Sequence, residues 1–153
     1  MRMPRSTDNA QASRIQGRLE DELTRLSRNR RNSEPEGTTL DRSAFMVLWV
    51  LMDAGPRSLR QLSDELGLEQ STVNRQVNAA MTRGLLERVK IESQAARLIQ
   101  PTSAGVEAYL EDREMRTEFL TTVLAELEPG EAGLLRELQA LNDAYDRVLG
   151  KPE

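Results

Sequence analysis

The sequence predicts a mostly α-helical chain with one small β-hairpin, and three observations predict it. Apolar residues recur at helical spacing in long blocks near both ends. Between those blocks, two short helical segments are separated by a tight, glycine-closed turn. Two short segments with apolar residues follow at once and can pair across a turn. At 153 residues the chain fits one domain with helical extensions, because domains run on the order of 100–200 residues.

Residues 10–31 read as a helix, with Ile15, Leu19, Leu23 and Leu26 recurring at helical spacing and a charged opposite face. Residues 32–39 contain Ser33, Pro35 and Gly37 without periodicity and form a linker loop. Either Asp41 or Ser43 caps a second helix that runs through about Asp53. Its centre, residues 44–52, is apolar on every side and is expected to be the most buried element, and Gly55-Pro56 ends it.

Ser58-Leu59-Arg60-Gln61 matches a capping box, in which the serine hydroxyl accepts from a free backbone N–H and the glutamine side chain reaches back. The short helix it opens points Leu59, Leu62 and Leu66 inward, and Gly67 supplies the left-handed residue that closes it. A third periodic segment, residues 70–83, places Val73, Val77, Ala80 and Met81 on one face, and Gly84 ends it in the same way. Residues 85–89 and 96–100 form the hairpin, with its turn around 92–95, and Pro101 closes the second strand because it has no N–H to give.

From Ser103 a long amphipathic helix is expected to about Leu127, with Val106, Tyr109, Leu110, Phe119, Leu120, Val123, Leu124 and Leu127 as its apolar set. Pro129-Gly130 breaks it, and a last helix carries Leu134, Leu135, Leu138, Leu141, Tyr145, Val148 and Leu149. The chain divides into an N-terminal helix and linker (1–39), a central lobe (40–102) and C-terminal helices (103–153). With only 38% hydrophobic and 3% aromatic residues the core is lean, so the apolar faces of the end helices call for a second copy of the chain, a homodimer.

Composition excludes most catalytic schemes. The absence of cysteine removes disulfides, thiol nucleophiles and thiol redox sensing. The absence of histidine removes imidazole catalysis and the common Cys/His metal sites. No compact carboxylate cluster and no phosphate-cradling glycine loop appears, so the chain reads as a non-enzyme without a cofactor. Arg2 and Arg5 are followed by polar residues rather than an apolar stretch, and the longest apolar run, 44–52, is far shorter than the about 20 residues a bilayer requires. A cytoplasmic protein with no membrane partner is expected.

A net charge of −4 looks unsuited to a polyanionic partner until it is divided along the chain. Residues 57–97 hold seven basic and five acidic side chains, while the remainder holds fourteen basic and twenty acidic. The local field meets a phosphate backbone, and here it is basic. Two short helices around a tight turn, followed by a strand pair, are the outline of a winged helix-turn-helix.

Within 70–83, helical spacing turns Ser71, Thr72, Asn74, Arg75 and Asn78 away from the core. Hydroxyls can donate to phosphates or bases, asparagine can bond bidentately to adenine, and arginine to guanine. Arg75, Asn74 and Asn78 are accordingly expected to read bases, while Ser71, Thr72 and Arg60 position the phosphate backbone. Gln70, in the first turn, and Arg97, in the wing, complete the candidate DNA-contacting set. The free N–H groups at that helix's N-terminus favour a phosphate. Glu69 either opposes the phosphate or serves as a local cap.

Gly55-Pro56-Arg57-Ser58-Leu59-Arg60-Gln61-Leu62-Ser63-Asp64-Glu65-Leu66-Gly67-Leu68, Gln70-Ser71-Thr72-Val73-Asn74-Arg75-Gln76-Val77, Arg83-Gly84-Leu85-Leu86-Glu87-Arg88 and Pro101-Thr102-Ser103-Ala104-Gly105, in this order between long end helices, resemble the MarR family of bacterial transcription regulators. The resemblance implies a triangular dimer, in which the first and last two helices of each subunit interlock and a winged lobe hangs at each side. It also implies a regulator, commonly a repressor, bound to double-stranded DNA and released by a small aromatic or phenolic effector seated between dimer region and winged lobe. The family's wing tip usually carries an Asp-Arg pair that enters the minor groove, whereas Ser93 and Gln94 stand at those positions here, leaving Lys90 and Arg97 in the wing.

Phe45, Met46, Trp49, Met52, Tyr109 and Met115 are equally suited to line such a ligand pocket or to pack a core. Arg28, Arg30 and Arg31 at the end of the first helix either complement its dipole or touch phosphate. A second class stays open: a dimeric winged-helix module that docks another protein through the same outer face, with little DNA affinity. Salt separates the two, because phosphate contacts make log K fall linearly with log salt.

Overall fold

The computed structural model describes residues 6–90, 97–127 and 130–150, with side chains from residue 11 onward. Along them run α1 (Ser6–Asn32), α2 (Arg42–Ala54), α3 (Leu59–Leu66), α4 (Gln70–Thr82), β1 (Leu86–Val89), β2 (Leu98–Pro101), α5 (Ser103–Leu124) and α6 (Glu131–Leu149).

Helix α2 is the centre of the lobe, and Asp41 is its cap, with Oδ1 accepting from the Ala44 N–H at 3.0 Å. Ala44, Val47, Leu48, Val50 and Leu51 are buried against α3, α4, α5 and β2. The expectation of burial on every side is corrected on one strip. Trp49 and Met52, one turn apart, remain 47% and 38% exposed, because the neighbours of α2 cover its other faces.

The predicted capping box opens α3: the Gln61 N–H donates to Ser58 Oγ at 3.2 Å and the Ser58 N–H to Gln61 Oε1 at 2.9 Å. Gly67 adopts φ 63° and ψ 33°, left-handed backbone that a Cβ would strain, and so reverses the chain within three residues before α4 begins. Val73, Val77 and Ala80 of α4 are buried, and Met81 is half-buried. Glu69 makes no side-chain cap, and its backbone carbonyl instead accepts from the N–H groups of Thr72 and Val73.

The strands pair antiparallel with Leu86 opposite Pro101 and Val89 opposite Leu98. Strand β1 begins one residue later than the sequence pattern implied and ends where expected, while β2 ends one residue later, at Pro101. The later start of β1 follows from Leu85, whose N–H is drawn to the Ala80 carbonyl and whose own carbonyl accepts from the Thr102 N–H, so it serves the turn rather than the ladder. Arg57 and Ile99 exchange both backbone hydrogen bonds, at 3.1 and 2.8 Å, which stitches the segment before α3 to the sheet. The expected hairpin turn at 92–95 lies outside the described residues.

Thr102 caps α5 by accepting from the Gly105 N–H at 3.0 Å while donating to the Gly84 carbonyl at 2.6 Å. At Gly105 the helix lies directly on the chain at Leu85, where an added Cβ would sit 2.0 Å from the carbonyl oxygen. The apolar set expected for this helix is corrected at Leu110, which is 49% exposed, while Asp112 takes a position inside. Helix α5 also ends at Leu124 instead of Leu127, because tighter turns return Glu126 N–H to Val123 and Leu127 N–H to Leu124.

Leu48, Leu62, Val73, Val77, Leu86, Ile99 and Tyr109 close one core between α2, α3, α4, the hairpin and the first half of α5. Beyond it, Ile15, Leu19 and Leu26 of α1, Phe119, Leu120 and Val123 of α5, and Leu134, Leu135, Leu138, Leu141 and Tyr145 of α6 remain exposed. Apolar faces of that extent mark an association surface. Among the described residues no helix is long and apolar enough to cross a membrane.

Candidate nucleic-acid interface

With Val73, Val77 and Ala80 fixed in the core, the remaining faces of α4 are set by helical geometry. Gln70, Ser71, Arg75 and Asn78 are exposed, while Thr72 and Asn74 are half-buried at the margin of the strip. Arg60 is exposed on α3, and Arg97 is exposed just before β2. The helix-turn-helix therefore brings Arg60 and the α4 strip onto one lobe, with Arg97 on the wing.

Hydrogen bonding separates committed side chains from available ones. Arg57 is held by Glu65 at 2.7 Å, and Arg83 by Asp41 at 3.2 Å. Among the described residues, Arg60, Arg75, Arg97, Gln70, Ser71 and Thr72 have no side-chain hydrogen bond or ion pair. Their donors face solvent, which is what a duplex can use. The uncapping Glu69 carboxylate lies beside the α4 N-terminus and opposes a phosphate there.

Asn74 and Asn78 behave differently. Asn78 Nδ2 donates to Asn74 Oδ1 at 3.4 Å, and Arg88 Nη2, reaching over from β1, donates to Asn78 Oδ1 at 3.0 Å. Arg88 was not among the residues the sequence singled out. Its place on the strand that follows α4 was a usable signal, but which edge of the strand faces α4 is a matter of tertiary packing. Ser93 and Gln94, the expected wing-tip positions, lie outside the described residues.

A cleft of about 130 Å³ lies between the lobe and the end helices, lined by Arg30, Ser33, Pro35, Arg42, Phe45, Met46, Arg116, Phe119 and Leu120. Of the apolar residues weighed for a pocket, Phe45 and Met46 reach it. Tyr109 stacks behind Phe45 with ring centroids 5.2 Å apart, and Met115 lies against Gly37 instead. The Arg116 guanidinium sits 4.5 Å over the Phe45 ring, and its buried Nε has no hydrogen-bond partner among the described residues. Arg42 Nη1 donates to the Arg30 carbonyl at 2.9 Å, and Arg28 and Arg31 are exposed. Among the described residues no group of three or more acidic, histidine or cysteine side chains could hold a metal ion.

A helix-turn-helix braced by a two-stranded wing, with an open hydrogen-bonding strip on its second helix, defines a winged helix-turn-helix protein. Residues 38–97 match the model of the MarR family. The chain is 29% identical over 115 residues to YxaD of Bacillus subtilis, an uncharacterized HTH-type transcriptional regulator, covering 74% of this chain and 80% of that protein. Its fold matches Staphylococcus aureus MarR in complex with salicylate and kanamycin, with a TM-score of 0.76 at 13% identity over 94% of this chain and 98% of the other. A MarR family protein from Bacillus stearothermophilus matches with a TM-score of 0.72 at 22% identity, over 90% of this chain and 97% of the other. Over its helix-turn-helix and wing the chain is thus similar to MarR family transcription regulators, and its fold is theirs.

Proposed function

We propose that the chain acts as a homodimeric, sequence-specific repressor that docks the two copies of α4 into successive major-groove faces of a pseudo-palindromic operator. Half-site centres lie about 10 bp apart, or a multiple of it. The observation that carries this reading is the strip of uncommitted donors, Gln70, Ser71, Thr72 and Arg75, on the solvent side of α4. Arg75, Asn74 and Asn78 read base edges. Ser71, Thr72, Gln70 and Arg60 hold phosphates, and Arg97 follows the wing.

The open apolar faces of α1, α5 and α6 supply the dimer contact, so that 1–39 and 103–153 form the frame and 40–102 the DNA-binding lobe. Cytoplasmic placement accords with that role. The cleft takes the effector. Its guanidinium groups from Arg30, Arg42 and Arg116 suit a carboxylate, and Phe45 and Phe119 suit a ring. At about 130 Å³ it is below the about 300–1,000 Å³ of a drug-sized site, so a single-ring aromatic acid fits best.

The test is binding of the purified protein to a random-sequence duplex library at several salt concentrations. Enrichment of a two-fold symmetric site, with log K falling linearly in log salt, is the expected result. A weak salt response without enrichment would instead favour a winged-helix module that docks a protein partner.

A further inference from the structure

Three residues between α1 and α2 are clamped from two sides. From α5 comes Asp112, a fully buried carboxylate 1% exposed. Its Oδ1 accepts from the Thr39 N–H at 2.7 Å and from Thr39 Oγ1 at 3.2 Å, and its Oδ2 accepts from the Leu40 N–H at 3.1 Å. Arg116 Nη2 closes this side, donating to the Leu40 carbonyl at 3.1 Å and to Asp112 Oδ2 at 3.5 Å. From α4 comes Arg83, the residue that ends that helix. Its Nη2 donates to the Thr39 carbonyl at 2.9 Å and its Nη1 to Asp41 Oδ2 at 3.2 Å.

Arg83 and Asp112 thus grip opposite ends of the Thr39–Leu40 peptide unit, its carbonyl and its N–H. Apolar contact between α2, α4 and α5 is non-directional and tolerates small rotations, whereas forked, charge-assisted hydrogen bonds fix angles. Leaving a buried carboxylate short of donors is costly, so the 39–41 segment must follow α5. Through the Arg83 fork, α4 must follow the segment. The lever is long: α4 spans about 20 Å at 1.5 Å per residue, so a tilt of about 10° at Arg83 moves Gln70 by about 3 Å, close to one base-pair step.

We propose that Arg83 and Asp112 are positioning residues that set the angle of α4 against α5, and with it the half-site spacing that the dimer accepts. The spacing half of this inference rests on the homodimeric DNA-binding reading, while the angle half concerns one subunit. Arg83 carries the test, because it is 41% exposed and its loss should leave the core folded.

The chain has no cysteine, so spin labels can be placed by Gln70→Cys and Glu118→Cys and the doubly labelled chain diluted with unlabelled protein. A narrow α4–α5 distance distribution that broadens or shifts in Arg83→Ala, and is partly restored in Arg83→Lys, is expected. An unchanged distribution would overturn the proposal. The DNA probes are a duplex selected by the wild type, a duplex retaining one half of it, and copies lengthened or shortened by about one or two base pairs at the centre. Arg83→Ala should lose about tenfold on the whole site, stay within about twofold on the half-site, and discriminate less between spacings. Equal losses on whole and half sites would overturn the spacing claim and make Arg83 a plain DNA contact or a folding residue. Failure of the wild type to select any symmetric duplex counts against the dimeric reading, and the distance measurement still decides the angle.

Discussion

Arg88 Nη2 on β1 donates to Asn78 Oδ1 on α4 at 3.0 Å, so the wing strand holds one of the two asparagine amides on the outward strip of α4. With its oxygen engaged and its Nδ2 directed at Asn74 Oδ1, the Asn78 amide has one orientation. Asn74 then keeps its own NH₂ group without a hydrogen-bond partner among the described residues, a donor of the kind that a purine N7 accepts.

Arg88→Ala should therefore change selectivity more than stability. The bond is exposed, so the unfolding free energy should move by no more than about 0.5 kcal/mol. Affinity for the selected duplex should drop, while duplexes altered at the base pair beside Asn78 lose much less. Affinities across a panel of single-base-pair variants decide the matter. A uniform loss over all of them would make Arg88 a phosphate contact.

Among the described residues Arg75 has no side-chain hydrogen bond or ion pair, and it lies at the middle of the strip. Arg75→Ala should cost about 1–3 kcal/mol on the selected duplex and blur preference at one base pair. Titrations against selected and random duplexes check it, and equal losses on both would leave only a backbone contact.

The proposed dimer contact is separable from the fold of the lobe. Leu135 and Leu138 are 57% and 36% exposed on α6, which buries none of its own described side chains in the subunit. Leu135→Glu with Leu138→Glu should yield monomers in sedimentation runs, keep the helical circular dichroism of the lobe, and lower operator affinity. A protein that still sediments as a dimer would place the interface elsewhere.

Local chemistry made most of the fold legible. The Ser58–Gln61 box, the Gly67 reversal and the α4 periodicity each operate within a few residues, so sequence spacing carries them. Asp112 was not legible, because its partners Thr39 and Leu40 stand 73 and 72 positions away and nothing in an amphipathic pattern marks a buried carboxylate. The Arg57–Ile99 bridge and the Arg88–Asn78 bond were hidden for the same reason. Within the candidate site, the outward strip followed from the inward one, whereas which outward side chains are already engaged depends on neighbours from other elements.

Gly105 is a tertiary requirement of that hidden kind. An added methyl would lie 2.0 Å from the Leu85 carbonyl oxygen and 2.9 Å from its carbon, both backbone atoms that cannot rotate aside. Gly105→Ala should destabilise by about 3 kcal/mol, at the upper end for overpacking. Gly17→Ala is the control, since nothing lies within 4 Å of its added Cβ and alanine favours the helix by up to about 1 kcal/mol. Urea melts at one fixed protein concentration compare the two, because a dimer's stability depends on concentration.

The cleft makes the last prediction. Arg30 and Arg42 approach it from α1 and α2, and Phe45 and Phe119 from α2 and α5, so an occupant would touch the frame and the lobe together. A ligand shifts an equilibrium only by its differential affinity for the two states, and contacts to both bodies supply such a difference. Salicylate should therefore weaken binding to the selected duplex, and benzamide, a neutral ring of similar size, should do so far less. Arg30→Gln should raise the salicylate concentration needed by about tenfold, the loss of one charge-assisted contact. Trp49, the chain's single tryptophan, lies half-exposed on α2 one turn beyond Phe45, so its fluorescence gives a DNA-free readout of the same titration. Equal responses to salicylate and benzamide would remove the guanidinium groups from the effector site.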